Sequence, residues 1–182
     1  MSSFENYSKD GIAINSSVVN QSQNVFHTNP VAIIKERTHN DIIFNVMPNK
    51  MVEEHLYLKE YRIWDNAVEA VFDRTYQTQM EKSPNHLTFV TTLIHMQKML
   101  YVYMCHKYNI KYDPEENERL KIWPTILDID MPKMVTKQKD ISHKMYIKDI
   151  RQTKKENTYL VTADTEVENR IFINGQALVI IG

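Results

Sequence analysis

The stretch "SPNHLTFVTTLIHMQKML", residues 83–100, decides how the rest of the chain is read. Pro84 and Asn85 interrupt an extended run and open a helix that the pattern predicts from about Leu87 to Lys107. Advancing 100° per residue from Thr88 puts Phe89, Val90, Leu93, Ile94, Leu100, Tyr101 and Met104 between about 100° and 240°. Gln97 falls among them, at about 180°. The opposite stripe holds Thr88, Thr91, Thr92, His95 and His106, with Lys98 at its border. The wheel therefore predicts a core helix whose apolar stripe is buried and whose Thr/His stripe is its one wet side. A buried amide without partners costs about 1–3 kcal/mol, so Gln97 is expected to bond to sheet backbone or to a facing subunit.

Outward from the helix, the chain alternates in the manner of strands. "LYLKEYRIW" (56–64) and "AVEAVFDRTYQ" (67–77) flank Asp65-Asn66 and predict a hairpin. After the helix, "NIKYDPEENERLK" (109–121) is polar, with room for a short helix past Pro114. Strands are then expected at 125–134, 140–153, 157–167 and 170–181, the last three separated by "KKEN" and "EN" turns. Asn174-Gly175 has a hairpin signature, but the flanking runs are short, so a small residue or bulge inside one strand competes with it. Upstream, 31–46 could hold a short strand and 51–54 a brief helical segment. Residues 1–30, rich in Ser and Asn, read as a flexible or irregular N-terminal arm, and 31–182 as a single domain.

Bulk composition removes several classes of function. Among 182 residues, 22 Lys and Arg nearly cancel 23 Asp and Glu, which offers no electrostatic case for nucleic acid or an anionic membrane as the partner. The 3 glycines (Gly11, Gly175, Gly182) do not cluster, so no phosphate-cradling loop forms. No CxxC or HExxH spacing exists, and no metal or other cofactor is expected. No apolar run reaches the roughly 20 residues of a membrane span, and no secretory signal opens the sequence. With Cys105 as its single cysteine, the protein is expected in the cytoplasm.

A hairpin, one long helix and a strand meander resemble the α+β hotdog fold, an antiparallel sheet wrapped around one long central helix. In that superfamily an acidic residue often precedes a helix Gln by four positions. Gln97 matches the Gln, but Leu93 stands at the acidic place, which argues against the dehydratases that use that carboxylate. "NHLTFVTTLIHMQKMLY", "MPKMVTKQKDISHKMYIKDI" and "TYLVTADTEVENRIFINGQALVII" resemble the FcoT-like long-chain acyl thioesterases, over roughly Leu56 to Ile181. The resemblance implies hydrolysis of a thioester of CoA or acyl carrier protein by a homodimer or dimer of dimers. The alternatives are addition of glycine or water to an enoyl thioester, as a lyase or transferase would perform it, and a non-catalytic acyl-binding protein. Arg62 or Arg74 facing the site would favour glycine addition.

Site candidates gather around the helix entrance. His86 could activate water or polarise a carbonyl beside free helix N–H groups, or be a capping residue. Asn85 is a natural N-cap and a possible donor to substrate. Tyr76, Tyr57 and Tyr61 could each donate a hydroxyl or simply pack. Thr88 and His95 complete the candidate substrate-binding set, with packing as the competing role of each. Asp73 and Glu81 are the carboxylates expected near the entrance.

Overall fold

A computed structural model describes residues 25–37, 39–47, 50–82, 84–113 and 119–182. The residues of the expected arm up to 24, and the place past Pro114 where a short helix was expected, lie outside these. In order come β1 (Ala32–Lys35), β2 (His39–Met47), β3 (Lys50–Trp64), β4 (Ala67–Thr78), α1 (Phe89–Lys107), β5 (Leu120–Asp130), β6 (Ile141–Gln152), β7 (Thr158–Val167) and β8 (Ile171–Ile181). All pairings are antiparallel, in the order β1-β3-β4-β6-β7-β8-β5, and β2 shares β3 with β1. The sheet curls around α1, which is the hotdog arrangement.

Strand alternation builds the concave wall. Ile141, His143, Met145 and Ile147 of β6 point inward, as do Val161, Ala163, Thr165 and Val167 of β7. A bulge at Lys59 resets β3, so Leu56 and Leu58 face the core before it, and Tyr61 and Ile63 after it. The hairpin turn at Asp65-Asn66 and the "EN" turn, where Glu168 and Asn169 take positive φ, fall where the sequence puts them. Helix α1 ends on Asn109 in the left-handed region. There the N–H of Ile110 bonds Cys105 O at 2.8 Å and that of Asn109 bonds His106 O at 3.3 Å.

Three expectations need correction, and one pair of alternatives is decided. The segment 51–54 is not helical but the start of β3, and 31–46 contains two strands instead of one. Strand β5 begins at Leu120 and stops at Asp130, so Met131 to Met134 belong to a loop. Asn174-Gly175 is no turn: Gly175 lies within β8 opposite Ala163 and Leu127, the second of the two readings.

The largest correction concerns the helix. Thr91, Thr92 and His95, expected to be wet, are buried against the sheet, whereas Phe89 and Val90 are 37% and 40% exposed. Gln97 is exposed, although its Nε2 does donate to Ile122 O on β5 at 3.1 Å. Polar side chains can face this sheet because the contacts there satisfy most of their bonds. Thr91 Oγ1 donates to Glu54, Thr92 Oγ1 to Thr88 O, and His95 contacts His143. From Met99 to Cys105 every helix residue is buried.

Candidate active site at the helix N-terminus

Thr88, not Asn85, is the N-cap: its backbone is extended (φ −81°, ψ 154°) and its Oγ1 accepts the Thr91 N–H. Beneath this first turn lies Glu54 of β3, fully buried. Its Oε2 accepts from Thr88 N (3.3 Å), Thr88 Oγ1 (3.0 Å) and Thr91 Oγ1 (2.5 Å). A carboxylate at that position is favoured by the helix dipole. Its Oε1 meets Nη1 of the equally buried Arg74 at 2.5 Å. Burying either charge alone would be costly, so the pair belongs together.

Arg74 also organises what surrounds it. Its Nε donates to Lys137 O at 3.1 Å and its backbone N–H to Gln138 O at 2.8 Å, tying the β5–β6 loop to β4. In the same loop Val135 O accepts the Leu87 N–H at 2.8 Å. The third guanidinium contact, Nη2 to Asn85 Oδ1 at 2.6 Å, orients the exposed Asn85 side chain. Arginine has only donors, so the amide oxygen must face it and the two N–H groups of Nδ2 are turned away from it.

His86 is oriented in a similar way. Its Nδ1 lies 2.7 Å from Pro84 O, and a carbonyl can only accept, so Nδ1 carries a proton and the lone pair of the neutral ring is on Nε2. The Tyr76 ring is 6.1 Å from the imidazole and lies under the Arg74 guanidinium at 5.8 Å. His86, Asn85 and Tyr76 therefore come together, and Thr88 is linked to them through Glu54 and Arg74.

The other candidates lie elsewhere. Tyr61 and His95 are buried deeper, in a cluster with Phe72 and His143. There the two histidines meet Nδ1 to Nδ1 at 3.2 Å, and neither Nε2 has a hydrogen-bond partner among the described residues. Burial drives both pKa values down, that of His143 to about 3, and the neighbouring His143 and Lys98 add to the effect on His95. Burial likewise raises the Tyr61 pKa far above its usual value. Tyr57 is 43% exposed on the outer face of β3.

Asp73, an expected carboxylate, points away from the helix entrance. Burial works against its charge, but bonds from Lys59, the Asp140 N–H and Lys139 hold its carboxyl down at about 2. Glu81 sits in an exposed turn, and Arg62 pairs with Glu60 and Glu69. The carboxylate at the entrance is Glu54, which sequence reasoning missed by reading 51–54 as helical. The alternation of Val52, Glu54, Leu56 and Leu58 was the signal that could have found it. Among the described residues, no three His, Cys, Asp or Glu gather in a metal-binding arrangement.

An apolar groove flanks the middle of α1, lined by Met96, Leu100, Ile122, Leu127 and Val161, with Gln97 at its rim. Gly175 lies in its wall, where a Cβ would come 3.2 Å from Leu127 Cδ2.

No protein-family profile matches the chain, and no curated protein sequence does. Solved structures resemble it loosely. A thioesterase from Haemophilus influenzae aligns with TM-score 0.44 and 8% identity, over 69% of this chain and 78% of that one. A mutant thioesterase from Pseudomonas aeruginosa gives TM-score 0.40 and 5% identity, over 69% and 82%. A thioesterase family protein from Silicibacter pomeroyi gives TM-score 0.35 and 8% identity, over 78% and 85%. At this distance no residue role transfers from any of them.

Proposed function

We propose that the protein hydrolyses acyl thioesters of CoA or acyl carrier protein, as an FcoT-like hotdog enzyme of the cytoplasm. One observation supports the reading: the contacts of two adjacent side chains orient them oppositely, His86 with Nδ1 on a carbonyl and Asn85 with its Nδ2 donors turned away from Arg74. Water gives a proton to His86 Nε2 as its oxygen attacks the thioester carbonyl carbon. The oxygen of that carbonyl becomes an oxyanion held by Asn85 Nδ2–H and first-turn helix N–H groups. Collapse of the intermediate breaks the C–S bond, and protonated His86 returns the proton to the leaving thiolate. Tyr76 borders the imidazole and supplies a hydroxyl at the rim. The reaction consumes only water.

The exposed stripe Phe89, Val90 and Gln97, together with β5 at the sheet edge, supports a homodimer. Glycine addition is less well supported, because the cation at the entrance, Arg74, is already neutralised by Glu54.

A panel of saturated and α,β-unsaturated acyl-CoAs, with and without glycine, tests the proposal by free-thiol release. Thiol release from saturated substrates is expected. A mass gain on enoyl substrates without thiol release, or tight binding without turnover, would overturn it.

A further inference from the structure

The convex face of the sheet carries an apolar row with no role in the core or in the candidate site. Register places Trp123 of β5 opposite Leu178 of β8, Leu178 opposite Leu160 of β7, and Leu160 opposite Arg151 of β6. Directly opposed residues share a face of the sheet. The alternate residues Ile122, Val179 and Val161 are buried toward the helix, so this row points outward. Trp123 is 51% exposed, and Ile126, further along β5, is 60% exposed.

The surroundings of the row are basic. Lys121 precedes Trp123 on β5, Arg151 ends the row, and Lys154 and Lys155 occupy the adjoining β6–β7 turn, all exposed. Against these four cations stand three carboxylates: Asp149, which bridges Arg151 at 2.8 Å, Glu156, and Asp128, exposed two residues beyond Ile126 on β5. The whole chain is close to neutral, so this is a local excess.

An exposed indole with isoleucine at the centre and lysines at the rim matches the layering of a bilayer interface. Tryptophan settles at headgroup level, apolar side chains reach the acyl boundary, and lysines meet anionic lipids. A second copy of this chain fits less well, since the basic rim would face its own like charge. We propose that this convex face docks peripherally on an anionic lipid surface. The proposal is independent of the hydrolase reading.

Sedimentation of the intact protein with phosphatidylcholine vesicles, with and without phosphatidylglycerol, tests it alongside tryptophan emission. Trp64 is buried and its Nε1 is bonded to Thr28 O, so a blue shift reports Trp123. Partition onto the phosphatidylglycerol vesicles with a blue shift is expected. Trp123→Ala should abolish the shift, and Lys121→Gln and Lys154→Gln should each weaken partition roughly fivefold. Should Trp123→Ala lose its fold, the two lysine variants decide by the same sedimentation readout. The proposal is overturned by no partition onto either vesicle, or by partition indifferent to anionic lipid. It is equally overturned if Trp123 is shielded without vesicles and Trp123→Ala lowers the mass measured by light scattering, which would make the face a contact between copies.

Discussion

The guanidinium of Arg74 donates from Nη2 to Oδ1 of Asn85 at 2.6 Å, while its Nη1 is held by Glu54 at 2.5 Å. A buried ion pair thus reaches the exposed amide proposed to hold the oxyanion. Arg74→Lys keeps the charge beside Glu54 but loses the planar fork that orients Asn85. Its kcat should fall about tenfold, the equivalent of one well-placed hydrogen bond, with KM little changed. Steady-state kinetics on the best acyl-CoA of the panel would check this.

Glu54 should matter more for folding than for chemistry. Glu54→Ala leaves Arg74 buried without its counter-charge, so unfolding free energy should drop by about 3–5 kcal/mol in urea titrations. Glu54→Leu combined with Arg74→Met removes both charges and should recover only the unpaired-charge part of that loss, since Thr88, Thr91 and Lys137 O lose their partners in it as well.

His86 and Asn85 should separate by the nature of their contributions. His86→Ala should lower kcat/KM by about 10²–10⁴-fold, the range for a general base. Asn85→Ala should lower kcat by about 10²–10³-fold. Asn85→Asp should not rescue activity, because a carboxylate keeps the bond to Arg74 but offers no donor. Activity retained in Asn85→Asp would remove the oxyanion role.

Burial of His95 and His143 makes stability depend on pH. Both folded-state pKa values lie below the usual 6.5, so the unfolded chain takes up these protons first as pH falls. The stability contribution is complete above about 6.5 and is lost progressively as pH falls toward about 3, the folded-state value of His143. The loss should approach about 1.4 kcal/mol per pH unit for each histidine. Urea midpoints measured at pH 7, 6 and 5 would test the slope. In His143→Leu the slope should be shallower.

Assembly should depend on the outward stripe of the helix. Phe89→Asp places a charge on exposed apolar surface, where it costs the lone subunit little but opposes pairing. Light scattering should show a shift from dimer toward monomer, with each subunit still folded by circular dichroism. A dimer that survives Phe89→Asp would place the contact elsewhere.

Much of the fold was legible because its signals are local. The Asp65-Asn66 turn, the "EN" turn and the period-2 strands after the helix each depend on neighbours a few residues apart. The polar segment 51–54 misled because Val52 and Glu54 face inward together, and a buried glutamate interrupts the apolar alternation of β3. The site was half legible: Asn85, His86 and Tyr76 do meet, whereas the carboxylate came from Glu54 instead of Asp73 or Glu81. Nothing near Glu54 in sequence announces its partner, since Arg74 lies 20 residues away and Thr91 37.

The sequence by itself determined that one long helix lies among strands, and that one side of this helix is apolar and the other carries Thr and His. It could not determine which side meets the sheet. A wheel orders side chains around an axis but says nothing of what each side will touch. Tertiary structure decided this by supplying partners for the polar side: Glu54 for Thr88 and Thr91, and His143 for His95. Once those hydrogen bonds are made, burying Thr88, Thr91, Thr92 and His95 is no longer prohibitive, and Phe89 and Val90 at the start of the apolar stripe are left exposed, while Leu100, Tyr101 and Met104 further along it stay buried.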